Sequence, residues 1–165
     1  MKLLIVEPIA SGHHMALYVR LVVREAYKRE WKVGLLTSKG ALKDPSFKLV
    51  QSERYNDMDI FVIDDVKPSS KKNMLSLFID QYNYYRAIKN GFKKIPLYKI
   101  PDRVYVSNLD HFDKVLPFLP SPFGNVKFSG MMMNLKFHRK KMGFGKPSRN
   151  DLLFEHKVIF FRDQP

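Results

Sequence analysis

Short apolar runs alternate along this chain with longer stretches in which apolar and polar positions recur every three or four residues. Lys2-Leu3-Leu4-Ile5-Val6 predicts a first strand, Glu7 to His14 a turn, and the pattern from there to Glu30 a helix. After Trp31, Lys32 to Thr37 predicts a second strand. Asp59 to Asp64 is a continuous apolar run closed by acids, which suits a parallel strand covered on both faces and leaves Asp64 and Asp65 at its carboxyl end. Ser69 or Ser70 can cap a helix running to Asn90, with Met74, Phe78, Tyr82, Tyr85 and Ile88 as its apolar stripe and Gly91 placed to end it in a left-handed conformation. Arg103 to Ser107 predicts a fourth strand, Asp110 to Leu119 a short helix cut by Pro117 and Pro120, and Val126 to Gly130 a fifth strand. Alternation of this kind predicts an α/β, Rossmann-like open sheet, mostly parallel, with helices on both faces and right-handed crossovers.

The last part of the chain departs from this rhythm. Lys136 to Arg149 holds six Lys or Arg and no acid, broken by Gly143, Gly145 and Pro147, and predicts a basic loop. Val158-Ile159-Phe160-Phe161 then reads as a final strand. The expected division is a Rossmann-like domain over 1–135, followed by a basic loop and strand over 136–165 that suggest a lead-in to a further domain.

Composition narrows the classes. The 165 residues, 45% of them hydrophobic, suffice for one ordinary core. The formal net charge is +13, which draws phosphate, anionic lipid or nucleic acid without choosing among them. The absence of cysteine excludes a disulfide framework and a thiolate metal site. Met1-Lys2 runs straight into a strand rather than into a leader, and no window nears the roughly 20 apolar residues of a membrane span. A cytoplasmic protein is expected, with peripheral contact to the inner face of the membrane open to it.

The chemistry concentrates in the first turn. In Gly12-His13-His14 the glycine lets the backbone turn tightly or approach a ligand, and the helix that follows offers N–H groups to an anion. A histidine here can act as a general base, its free pKa of about 6.5 lying near working pH. The same two histidines can instead simply cap or pack the helix start. Metal binding by His13, His14 and a strand-end acid is disfavoured, because adjacent positions on a helix point in different directions.

The stretch Lys2 to Thr37, above all Ser11-Gly12-His13-His14 followed by Tyr18, Arg20 and Leu21, resembles the amino-terminal half of GT-B glycosyltransferases. The later order is similar too: a strand ending in Asp64-Asp65, then Val104-Tyr105-Val106-Ser107-Asn108 before a short helix, then Val126 to Gly130. In inverting members a histidine at this turn deprotonates the acceptor hydroxyl. The resemblance therefore implies His13 as base, with His14 second and Asp64 or Asp65 as the acid that orients it. Gly12 would permit the turn, and Ser11, Glu7, Asp65 and Asn108 are the accompanying substrate-binding candidates. Such enzymes set two Rossmann-like domains face to face, and the second holds most of the nucleotide sugar. The resemblance thus implies an acceptor-side half whose partner is a carboxy-terminal donor-binding domain or subunit. No cofactor is implied beyond a nucleotide-sugar donor as substrate, and transfer by these residues alone is not expected.

Basic clusters at Lys71-Lys72, Lys93-Lys94 and Arg139-Lys140-Lys141 alternate with Tyr84, Phe92, Tyr98, Phe137, Met142 and Phe144; the resemblance implies a saccharide or lipid-linked acceptor, and a basic, aromatic surface of this kind fits contact with an anionic membrane. Met131-Met132-Met133 fits packing material or the lining of an apolar acceptor cleft. A basic Rossmann-like module binding nucleic acid or an anionic surface is the alternative, although no RNP-like, KH-like or zinc-finger signature is present. A dinucleotide oxidoreductase lacks Gly-x-Gly-x-x-Gly in the first turn and an acid at Thr37-Ser38-Lys39. A receiver-like Mg²⁺ site on Glu7 and Asp64 lacks a second acid beside Glu7, where Pro8 stands.

Overall fold

Burial on both faces organises the first strand, β1 (Lys2–Glu7): Leu3 and Ile5 pack on one face of the sheet, Leu4 and Val6 on the other, and all four are buried. The computed structural model describes residues 1–9, 14–51, 58–69 and 73–132. Among these residues β1 is joined by β2 (Lys32–Ser38), β3 (Asp59–Ile63), β4 (Arg103–Val106) and β5 (Phe128–Gly130) in the order β3-β2-β1-β4-β5. Every pairing is parallel, with Glu7 opposite Thr37 and Val6 opposite Val106. The chain therefore forms an α/β Rossmann-like sheet, as its alternation predicts.

Helices cover both faces. On one side α1 (Arg20–Lys28), entered through a π-helical segment (His14–Val19), and α3 (Pro45–Gln51) bury Met15, Val19, Val23, Phe47 and Val50 against Leu3, Ile5, Val33 and Leu35. On the other, α4 (Met74–Lys93) sets Tyr84, Tyr85 and Ile88 against Leu4, Val6, Leu36 and Val104. Each fully buried Leu, Ile or Val side chain contributes roughly 1.5–3 kcal/mol, so this double layer fixes the strand ends that carry the site.

Several local expectations are corrected. The strand β3 lies at the sheet edge, where α4 packs on its Ile63 face only, and Ile60 and Val62 on the opposite face are exposed rather than covered. Helix α4 begins later than Ser69 or Ser70: Asn73 is its cap, Asn73 Oδ1 accepting from the Ser76 N–H at 2.7 Å while Ser76 Oγ accepts from the Asn73 N–H at 3.0 Å. Gly91 does not end the helix. It lies inside α4, where a Cβ would run into Ile63 Cγ2 and Leu36 Cδ1, and its role is close approach to the sheet. The buried face of α4 carries Gln81, Tyr84, Tyr85 and Ile88, whereas Phe78 and Tyr82 point outward.

The stretch after β4 is not one helix but two 3₁₀ turns, Leu109–His111 and Leu116–Phe118, since Asn108 caps the first and Pro117 admits no regular continuation. Two short helices not anticipated in the sequence, α2 (Lys39–Lys43) and α3, link β2 towards β3. Tyr84 and Phe92 belong to the interior rather than to a basic surface: Tyr84 is buried and the Phe92 ring meets Phe123 edge-on at 5.4 Å. Strand β5 is shorter than expected, Phe128–Gly130 alone. The expected basic loop and final strand over 136–165, Lys71-Lys72 and Met133 lie outside the described residues.

Candidate functional site

The strand order reverses at β1, whose neighbours are β2 on one side and β4 on the other. At such a point the loops leaving the two strands part to opposite faces and open a crevice at their carboxyl ends, the usual ligand position in open α/β sheets. Glu7 closes β1 there and Ser107-Asn108 follow β4, so the parallel register brings residues a hundred positions apart into contact.

Glu7 is fully buried. Ser107 Oγ lies 2.6 Å from Glu7 Oε2, the Ile9 N–H donates to Glu7 Oε1 at 3.0 Å, and the Thr37 hydroxyl donates to the Glu7 carbonyl oxygen at 2.6 Å. Burial pushes the carboxyl group up to about 7, against the opposing pull of the Ser107 and Ile9 hydrogen bonds. The same group reaches both faces of the sheet electrostatically. Burial raises the hydroxyl pKa of Tyr84 and of Tyr105; Asp80 and then Glu7 add to it for Tyr84, Glu7 and then Tyr18 for Tyr105.

The loop after β4 is held in turn. Asn108 Oδ1 accepts from the Asp110 N–H at 3.0 Å, which orients the side-chain amide so that Nδ2 faces His111 Nε2 at 3.3 Å. The His111 ring lies 5.2 Å from that of Tyr84. Gln81 from α4 locks the loop in place: its Nε2 donates to the Asp110 carbonyl at 2.8 Å and to Asp113 Oδ1 at 3.0 Å, and its Oε1 accepts from the Lys114 N–H at 2.8 Å.

Among the sequence-derived candidates, Glu7 and Asn108 stand at adjacent strand ends in this crevice. Ser11, Gly12 and His13 lie outside the described residues, and His14 opens the π-helical segment, its side chain likewise outside them. π-Helical turns are rare and recur at functional sites. Asp64 and Asp65 follow β3, two strands away from β1. There Asp64 pairs with Lys39 at 3.2 Å, and Asp65 accepts from the Gly40 N–H at 2.7 Å. That hydrogen bond first, and one from Ser38, hold the Asp65 carboxyl below its ordinary range. Their described contacts therefore serve the β2–α2 junction.

Ser107, His111 and Gln81 were not singled out in the sequence. Ser107 reads there as the end of an apolar strand, and a small hydroxyl residue at that place, facing an acid at the end of β1, is the one signal that could have found it. Next to the loop a recess of about 450 Å³ is lined by Leu109, Leu116, Leu119, Phe128 and Met132, with Asp113 and Ser121 as its polar groups. Among the described residues no three His, Asp or Glu side chains are gathered to hold a metal ion.

No family model matches the sequence, and no curated protein matches it. Among solved structures, the chain is similar to the calicheamicin glycosyltransferase CalG4, at 16% identity and a TM-score of 0.45, over 99% of this chain and 43% of that chain. The chain thus spans less than half the length of that protein. Likeness of this degree assigns no substrate, and the fold rests on the strand order and register described above. No helix among the described residues is long and apolar enough to cross a membrane.

Proposed function

We propose that the chain is the acceptor-side, amino-terminal half of a nucleotide-sugar-dependent glycosyltransferase, and that the crevice between β1 and β4 receives the acceptor hydroxyl. The observation that carries this reading is the polar cluster Glu7–Ser107–Asn108–His111, gathered where the strand order reverses and immediately before the Gly12-His13-His14 turn. In the complete enzyme the acceptor oxygen bonds to the anomeric carbon as its proton passes to neutral His13. The bond from that carbon to the nucleoside diphosphate breaks, and its electron pair leaves on the phosphate oxygen. A general base of this kind contributes roughly 10²–10⁴-fold. Gly12 permits the turn, while Glu7 and Ser107 brace the floor of the crevice. The recess beside the loop offers room for an apolar part of the acceptor.

Binding tests the reading. Calorimetric titration of the chain with glycoside acceptors and, separately, with nucleotide sugars should show the acceptors binding and the nucleotide sugars at least about tenfold weaker, a difference of about 1.4 kcal/mol. Nucleotide sugars binding more tightly than any acceptor would contradict it. So would salt-sensitive binding to nucleic acid in a protein that ignores every acceptor.

A further inference from the structure

Helix α4 turns two different surfaces outward. Its core side is Gln81, Tyr84, Tyr85, Ile88 and Gly91, all buried. At 3.6 residues per turn, Leu75, Ile79, Tyr82, Arg86, Lys89 and Lys93 fall in one stripe on the opposite side. The first half of the stripe is apolar and open, with Leu75 at 70% exposure, Ile79 at 47% and Tyr82 at 42%. Phe78 flanks it, and Phe118 from the turn after β4 extends it, the two rings 6.4 Å apart and both exposed. The second half is cationic, with Lys89 leaning over the Tyr85 ring at 5.5 Å.

No acid interrupts the stripe. Asp80 lies to one side with its carboxylate accepting from the Ser69 N–H at 2.9 and 3.0 Å, and Asp113, on the loop packed against α4, is engaged by Gln81 and Lys114. Five neighbouring large apolar side chains left open on one helix face and its adjoining turn form the kind of patch that marks an interaction site.

We infer that the outward face of α4, with Phe118, docks on an anionic lipid surface. The apolar half would enter the headgroup boundary while Arg86, Lys89 and Lys93 meet lipid phosphates. Charge complementarity selects this occupant, because the stripe is free of acids on a chain of net charge +13. A second copy fits poorly: twofold packing of two α4 helices sets either cations against cations or each apolar half against the partner's cations. Nucleic acid would use the cations and leave the apolar half unexplained. This inference does not depend on the transferase reading, and the two fail on different measurements.

The test is flotation of the full chain with vesicles of phosphatidylcholine, alone and mixed with phosphatidylglycerol. The protein should float with the mixed vesicles and not with phosphatidylcholine alone. Replacing Arg86→Gln and Lys93→Gln should weaken binding about fivefold for each cation removed, an effect that added salt erases. Replacing Leu75→Ser and Ile79→Ser should weaken it about tenfold or more at any salt concentration. All four side chains are exposed, so thermal melting followed by circular dichroism should stay that of the unmodified protein. Vesicle binding that is absent, that ignores phosphatidylglycerol, or that neither pair of substitutions alters overturns the assignment. Capture of a protein by this face in the absence of vesicle binding does so equally.

Discussion

Ser107 Oγ sits 2.6 Å from Glu7 Oε2 and 2.9 Å from the Val6 carbonyl oxygen, so one hydroxyl with one hydrogen faces two acceptors. Two proton arrangements satisfy it. With Glu7 ionised, Ser107 donates to the carboxylate, and Val6 keeps the Ser107 backbone N–H at 3.1 Å. With Glu7 neutral, the acid donates to Ser107, which passes its own hydrogen to Val6. The pair accommodates both states of a buried acid without stranding a polar atom, which suits a group that titrates near neutrality.

Stability should therefore fall as pH rises. Glu7 has an ordinary value of 4.5 and a folded value of about 7, so the folded state holds a proton that the unfolded state releases. Below pH 4.5 both states are protonated and nothing is lost; between there and about 7 stability declines by about 3 kcal/mol, and above 7 it is level in this term. Glu7→Gln keeps the shape and the neutral hydrogen bonding but cannot ionise. Urea denaturation across this pH range should show the decline in the parent protein and lose that component in the variant, which should be the more stable of the two at pH 8. Parallel profiles would contradict the account of Glu7.

Ser107→Ala removes the hydrogen bond that favours the ionised carboxylate. The Glu7 midpoint, read from the carboxyl ¹³C resonance, should move above its parent value. A downward move would mean that Ser107 acts on the neutral acid instead.

Gly91→Ala tests how α4 meets the sheet. In an exposed helix interior the change favours folding by up to about 1 kcal/mol. Here the new methyl group would press on Ile63 and Leu36, and overpacking of this kind costs roughly 1–3 kcal/mol. Net destabilisation is expected in urea denaturation, and a stabilised variant would show that the helix can lift from β3 without loss.

His13→Ala, made in the enzyme completed by its donor-binding half, should lower turnover by roughly 10²-fold or more while leaving acceptor affinity nearly unchanged. Unaltered turnover would remove the base assignment and leave the fold untouched.

The fold was legible wherever periodicity and burial agree. Leu3 to Val6, Val33 to Leu36 and Val104 to Val106 are strands in the sequence and in the structure, because central parallel strands buried on both faces leave no polar alternation. Helix α4 was legible in existence but not in orientation. Phe78 and Tyr82 keep the spacing of core positions yet face solvent, and hydropathy alone does not distinguish an apolar surface from an interior. Gly91 was legible as special, but its function is contact with Ile63, which only the packing of α4 on β3 reveals. At the site, the end of β1 was legible from strand and turn, whereas the Glu7–Ser107 contact and the Gln81 clasp on the loop join residues 100 and 29 to 33 positions apart. Such contacts follow from strand order, and one sequence read in windows does not contain it.

The most direct test of the acceptor crevice is to map binding by two-dimensional amide NMR on the uniformly ¹⁵N-labelled chain, titrated with a glycoside that binds in calorimetry. Saturable shifts should centre on Glu7, Ile9, Ser107, Asn108 and His111, at the ends of β1 and β4. Saturable shifts confined to Asp64, Asp65 and the β2–α2 junction, or to the outward face of α4, with the β1 and β4 ends silent, would contradict that placement.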